Sequence, residues 1–244
     1  EYIGDPEYVH IPLDGLISKK YALERSKEIN LDRAQSYEFT HKFKLNDSEN
    51  TTHFNVTDSE GNIVSMTQTI NNAFGSKVAL KDTGMLLNNC MELFDPNPGM
   101  ANSIQPFKRC LSSMTPTIIT EKSKPYLVLG TPGGRKIFGA VAQALLALIN
   151  NDLSLQASVE APRIWTDGGV LELEYEFDSD IKKSLEFLGH EVTSVNRVAG
   201  GLNAIMFEND LMVGSACHRA DGSPAGLSGG YAMPSKPGDA FRDY

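Results

Sequence analysis

The sequence predicts a layered α+β fold, and three observations carry that expectation. Thr52, Phe54 and Val56 alternate with His53 and Asn55 ahead of Asp58-Ser59-Glu60-Gly61-Asn62, and Ile63, Val64, Met66, Thr67 and Thr69 resume the extended pattern beyond it. Two β-prone runs about an Asp/Gly/Asn turn are a hairpin signature. The strand-like runs 116–119 and 126–129 are followed by two helical segments, 139–150 and 153–160. Strand pairs succeeded by helix pairs build layers rather than repeated βα units.

The elements follow in chain order. Gly4-Asp5-Pro6 and Asp14-Gly15 punctuate a polar start, and Ser18 is placed to cap a helix over 19–28, with Tyr21, Leu23 and Ile29 as its apolar markers. Residues 41–50 hold almost no core-forming side chains and read as an exposed linker, the best boundary in the chain. The hairpin and the second strand pair come next. Ala140, Leu145, Leu146, Leu148 and Ile149 supply the apolar face of the 139–150 helix. Residues 170–175, 192–195, 204–207 and 211–213 read as strands. Between the first two lies a helix over 178–188, capped by Asp178 and stopped at Gly189. There is no repeat and no low-complexity tract.

Composition narrows the function. The 244 residues carry 22 basic and 31 acidic side chains, a formal charge of −9, which gives no general affinity for a phosphate backbone and excludes nucleic acid as the expected partner. The longest apolar run, 137–149, is broken by Gln143 and falls short of the roughly 20 residues of a membrane span. No basic leader precedes an apolar stretch, so no signal peptide is visible. Cys90, Cys110 and Cys217 form no CxxC pair, and the five histidines show no i, i+4 pairing, so neither a zinc site nor a disulfide framework is expected. The chain opens Glu-Tyr-Ile without Met, which reads as a processed chain or a piece of a longer one.

Hydroxyls and glycines carry the chemistry. Thr51-Thr52-His53-Phe54 opens a strand directly after the polar linker. Leu111-Ser112-Ser113-Met114-Thr115-Pro116-Thr117 sets two serines before a strand. Gly130-Thr131-Pro132-Gly133-Gly134-Arg135 joins a strand to a helix, where the first N–H groups of the helix lack intrahelical acceptors and can face an oxyanion. Taken singly, each has a plain structural reading as β-propensity, a turn or a connector.

In this order, and together with Thr67-Gln68-Thr69-Ile70-Asn71, Phe74-Gly75, Leu86-Leu87-Asn88-Asn89, Lys108-Arg109 and Ala161-Pro162-Arg163, the chain resembles the γ-glutamyltransferase family of N-terminal-nucleophile hydrolases. Tyr2-Ile3-Gly4-Asp5-Pro6 and Gly15-Leu16-Ile17-Ser18-Lys19 look like the segment that precedes the cleavage point in that family. The resemblance implies a four-layer αββα sandwich of the N-terminal-nucleophile type, here partial because part of the large subunit is absent. It divides the chain into residues 1–50, the end of a large subunit with its linker, and residues 51–244, a catalytic small subunit.

It also implies roles. The chain would cut itself before Thr51, whose new α-amino group, with a reference pKa near 8, would serve as the base that its hydroxyl lacks. Thr69 would orient the Thr51 hydroxyl, Gly133 and Gly134 would donate N–H groups to the oxyanion, Asn71 would contact the substrate's α-amino end, and Ser112 and Ser113 would hold a carboxylate. Cys90 and Leu93 stand where glutamyl-transferring members carry an amide or carboxylate and an Asp, and a thiol and an isobutyl group replace neither. Glu92 is the nearby carboxylate, although on a regular element it would point elsewhere. The 95–108 span is short for members with a lid over the site, and Cys217 stands where the family often has Asp.

The implied reaction is acyl transfer from a γ-glutamyl amide such as glutathione through an ester on Thr51, with no metal or organic cofactor. A glutaryl or cephalosporin-type acyl group and a poly-γ-glutamate chain are the alternatives within that chemistry. A relative that has lost catalysis and serves as a binding protein is the alternative of another class. The expected partners are a small acyl-amide substrate and the large subunit of the same precursor. Resemblance points to a periplasmic or extracellular site of action, which nothing in the chain fixes, and the oligomeric state stays open.

Overall fold

A computed structural model describes residues 3–35, 50–208 and 211–227. The linker expected at 41–50 lies, up to residue 49, outside the described residues. Two short helices come first, α1 (Leu13–Leu16) and α2 (Lys19–Ser26). Ser18 caps α2 as expected, its hydroxyl accepting the Tyr21 N–H at 3.1 Å. The helix stops at Ser26, two residues short of the expected end, and buries none of its side chains.

The hairpin forms from β1 (Thr51–Thr57) and β2 (Ile63–Thr69), in an antiparallel register that sets Thr51 opposite Thr69. A second sheet has the order β3 (Thr117–Glu121), β4 (Lys124–Gly130), β8 (Asn203–Glu208), β9 (Leu211–Ala216). The last strand runs three residues past the expected Val213, because Gly214, Ser215 and Ala216 continue the pairing to Ile205, Ala204 and Asn203. A third sheet joins β5 (Ile164–Trp165), β6 (Leu171–Glu174) and β7 (Val192–Val195), and the parallel β6–β7 pair is bridged by α5 (Ser179–Phe187). Asp178 caps α5, accepting the Asp180 N–H at 2.8 Å, and Gly189 ends it at φ +95°.

Side-chain alternation on β4 and β8 explains the layering. Leu127, Leu129, Ala204 and Met206 share the buried core with Val141, Ala144, Leu155 and Val159, so they face α3 (Ile137–Asn150) and α4 (Leu155–Glu160). Strand side chains alternate faces, so Val128, Gly130 and Asn203 point the other way, toward the hairpin. There the Asn203 side-chain amide donates to the His53 carbonyl and the Asn55 amide donates to the Asn203 carbonyl, both at 2.9 Å. Helices, a sheet and a hairpin thus stack as three successive layers. The outer hairpin face carries Phe54, Val56, Val64 and Met66, all exposed.

Two helix starts differ from expectation, for local reasons. A 3₁₀ turn over Gly134–Lys136 leads into α3 two residues early. Ser154 caps α4 through its hydroxyl, which accepts the Ala157 N–H and moves the start to Leu155. No helix among the described residues is long and apolar enough to cross a membrane.

The upstream segment is tied down by charge. Asp5 is buried, and its carboxylate accepts the Arg109 backbone N–H at 2.8 Å, Nε at 3.0 Å and Nη2 at 2.6 Å. This fork holds the carboxyl far below the usual carboxylate range. Tyr8 adds a hydroxyl bond to the Pro106 carbonyl at 2.7 Å.

Leu129→Ala is expected to destabilise the fold by about 2–5 kcal/mol, because it opens a void between β4 and the helices. Asp178→Ala, which removes only a cap, is expected to cost about 1 kcal/mol. Urea denaturation of both variants checks the ranking, and equal losses would contradict this placement of the core.

Candidate active site

The hairpin register brings the first predicted group together. Thr51 opens β1, and its hydroxyl donates to Thr69 Oγ1 at 3.1 Å. Thr69 Oγ1 in turn donates to the carbonyl of Asn50 at 3.2 Å and accepts the Asn71 N–H at 2.8 Å. A hydroxyl has one proton and two lone pairs, so the Thr69 hydroxyl is fully used and held in one orientation. Its proton rests on the carbonyl that precedes Thr51. Asn71 is buried at φ +70°, a left-handed conformation that Asn tolerates better than most residues. This bend turns the chain off β2 directly after the Asn71 N–H that Thr69 accepts.

The second group adjoins the first through sequence and hydrogen bonding. Cys90, Met91, Glu92 and Leu93 form a single 3₁₀ turn. Glu92 turns toward the segment that follows β2. Its Oε2 accepts the side-chain amides of Asn72 at 2.7 Å and Asn89 at 2.8 Å, while Asn89 Oδ1 accepts the Asn72 N–H at 2.9 Å. The Asn89 N–H closes back onto the Ile70 carbonyl at 3.2 Å. Glu92 therefore fastens this turn to the end of β2. Burial pushes the Cys90 thiol up, so Cys90 is a neutral side chain near neutral pH and offers no anion.

The third group is the glycine turn after β4. Gly130 lies against the His53 ring, and a Cβ there would sit 2.2 Å from ring carbon Cε1. Three residues on, Gly133 adopts φ +137° and Gly134 φ +58°. Gly134 then opens the 3₁₀ turn into α3, where N–H groups lack intrahelical acceptors. The two serines part company here. Ser113 Oγ donates to the Gly134 carbonyl at 2.7 Å, whereas exposed Ser112 accepts the Met114 N–H at 3.1 Å and shapes its own turn.

Packing relates the first and third groups. His53 follows Thr51 by two residues, and its ring backs the strand whose next turn holds Gly133 and Gly134. Residues that sequence reasoning passed over do this work. His53 is buried, with Nδ1 2.8 Å from Thr67 Oγ1 and Nε2 3.0 Å from Asn55 Oδ1. Asn72 and Asn203 also form bridges. The only sequence sign of His53's role is a polar residue on the inward face of a strand. Among the described residues no group of three or more His, Cys, Asp and Glu is placed to hold a metal ion.

Comparison with known proteins places this geometry among relatives. The family model described as gamma-glutamyltranspeptidase matches residues 1–227. The acylase ACY 1 proenzyme of Pseudomonas sp. strain SE83 is 46% identical over 230 residues, covering 94% of this chain and 41% of that protein. The glutathione hydrolase proenzyme of Bacillus subtilis strain 168 is 37% identical over 247 residues, covering 93% of this chain and 42% of that protein. The chain thus spans about two-fifths of the length of both relatives. A gamma-glutamyltranspeptidase from Pseudomonas nitroreducens complexed with L-DON superposes with TM-score 0.67 at 32% identity, over 72% of this chain and 99% of that one. These likenesses agree with the α+β architecture.

Burial holds the His53 ring below its ordinary pKa of 6.5. The unfolded chain therefore binds a proton near that pH when the folded chain does not, and stability falls as pH drops below it. Thermal unfolding is expected at lower temperature at about pH 5 than at about pH 7, and His53→Gln is expected to flatten that slope. An unchanged slope in the variant would show that His53 is not the titrating group.

Proposed function

Because the chain belongs to the gamma-glutamyltranspeptidase family, we propose that it is the catalytic part of a self-cleaving acyl-transfer enzyme with Thr51 as nucleophile. The observation that carries this reading is the hydroxyl chain from Thr51 through Thr69 to the Asn50 carbonyl. Thr69 polarises the carbonyl that Thr51 Oγ must attack. In that attack an Oγ–C bond forms, the C–N bond to Thr51 breaks, and the hydroxyl proton passes to the released nitrogen. Asn50 is then an ester on Thr51. Water hydrolyses it to an Asn50 carboxylate, a free Thr51 hydroxyl and an α-amino group.

The freed amine supplies the missing base. A reference pKa near 8 suits proton transfer near neutrality. It takes the hydroxyl proton as Thr51 attacks the substrate acyl carbon and returns it to the departing amine. Water or another amine then releases the acyl group. The N–H groups of Gly133 and Gly134 receive the oxyanion, a role in which losing one donor typically costs about 3–4 kcal/mol. Asn71 contacts the amino end of the donor, and Ser112 and Ser113 hold its carboxylate. Ser112 Oγ accepts the Met114 N–H and keeps its proton for the carboxylate, whereas the Ser113 proton, which rests on the Gly134 carbonyl, would have to turn from it to do the same. Both relatives are named proenzymes, in keeping with a cut between residues 1–50 and 51–244. The exposed apolar face of the hairpin supports a fourth, helical layer contributed by the large subunit, which would complete an αββα sandwich.

A γ-glutamyl amide such as glutathione is the leading donor. One observation favours a second reading, a glutaryl-type acyl group without an α-ammonium. Glu92 Oε2 already serves two amides, and Cys90 and Leu93 add no negative charge to hold an ammonium.

N-terminal sequencing of the purified protein is expected to yield a fragment beginning at Thr51. Thr51→Ala is expected to abolish both the cut and all turnover, and an active Thr51→Ala variant would refute the nucleophile. Thr69→Val, which keeps the side-chain shape but loses the hydroxyl, is expected to slow self-cleavage roughly 100-fold. Assaying γ-glutamyl-anilide beside glutaryl-anilide separates the two donors. A folded chain that stays intact and hydrolyses neither would favour the non-catalytic binding relative.

A further inference from the structure

We infer that Ala199, whose neighbours are held by the buried side chains of Arg163 and Glu174, is a positioning residue that sets the Gly133–Gly134 turn. This inference rests on the proposed role of that turn in receiving the oxyanion. Ala199 is buried and adopts φ +61°, a conformation unfavourable for a residue with a Cβ. Backbone kept in such a state is over-determined by its surroundings, and here the surroundings are explicit. Glu174 Oε1 accepts the Val198 N–H at 2.6 Å. Arg163 Nη1 donates to the Val198 carbonyl at 3.3 Å and to the Gly200 carbonyl at 3.0 Å. Glu174 Oε2 accepts the backbone N–H of Arg163 at 2.7 Å. The residues on both sides of Ala199 are therefore tied to buried charged side chains, Val198 to Glu174 and Arg163 and Gly200 to Arg163.

The pinned residue bears directly on the glycine turn. A Cβ built at Gly133 would lie 2.6 Å from both Cα and Cβ of Ala199, so Gly133 itself packs closely against that alanine. One residue on, the Gly200 N–H donates to the Pro132 carbonyl at 2.8 Å. The 198–200 bend thus meets the 132–133 turn with one hydrogen bond and one methyl contact. The His53 ring backs Gly130 on the approach to the same turn. Without the Ala199 methyl, the Gly133–Gly134 N–H groups lose a steric stop on one side. A displacement near 1 Å at such donors is enough to cost up to about 100-fold in rate.

The discriminating variant is Ala199→Gly. Glycine is at ease at φ +61°, so a purely structural role predicts a stable, fully active protein. A positioning role predicts a variant that self-cleaves and melts no lower than the parent. Its kcat on γ-glutamyl-anilide or glutaryl-anilide, per cleaved molecule, falls roughly 10- to 100-fold while KM stays within about twofold. Glu174→Gln is expected to lower kcat in the same direction, together with melting temperature. An Ala199→Gly protein with parental kcat, or one whose loss lies in KM or in melting temperature, overturns the inference. A cleaved parent enzyme that turns over neither anilide overturns the acyl-transfer reading itself, and the positioning role with it.

Discussion

The buried carboxylate of Glu174 is the constraint around which much of this molecule is arranged. A lone charge removed from water costs far more than a fold can supply, so every partner it takes is obligatory. Its oxygens accept the backbone N–H groups of Arg163 and Val198 and the guanidinium of Arg219. Arg163 and Arg219 are themselves buried and discharge their remaining donors onto carbonyls of Val159, Glu160, Ala161, Val198 and Gly200. One carboxylate at the end of β6 thereby fastens the end of α4, the 198–200 bend and the chain after β9. Removing it would leave the Arg219 guanidinium without its carboxylate in the interior, the costly way to break a buried ion pair.

The hairpin is fastened by a different device. Its inward face is polar rather than apolar, and its seat on the four-stranded sheet comes from reciprocal amide bonds between Asn55 and Asn203 and from the His53 ring against Gly130. Directional bonds of this kind fix register, whereas an apolar contact tolerates sliding. The distinction matters for chemistry. Thr51 lies at the end of that hairpin, and the glycine turn lies just past the strand it rests on. In the proposed scheme the separation of nucleophile and oxyanion donors is thus governed by neutral hydrogen-bonded groups on one side and by buried charged side chains on the other.

The segment before the proposed cut has its own attachment. Asp5 is surrounded by three donors of Arg109, two residues before the Leu111-Ser112-Ser113 stretch. A bidentate guanidinium–carboxylate pair with a backbone bond added is among the stronger polar contacts available. The loop proposed to hold the substrate carboxylate is therefore fastened from the upstream side of the chain. In the proposed scheme that contact would join the two products of cleavage.

Much of the secondary structure was legible in local sequence. The turn at 58–62, the Ser18 and Asp178 caps and the Gly189 stop act through neighbouring residues, and each stands where it was expected. The motif order identified the family for the same reason, since it is a property of the chain itself. What the sequence could not decide was which polar residues would be buried together. Nothing local distinguishes Glu174 from Glu172, or predicts that Arg163, Glu174 and Arg219 share one interior site across 56 positions. Glu92 shows the same limit. Its direction depends on a 3₁₀ turn and on amides from two separate segments, which periodicity on its own element does not reveal. The sequence by itself determined the elements, the candidate nucleophile and the glycine turn. Only the tertiary structure decided how the turn is held, because compensation of buried charge is settled between segments remote in the chain.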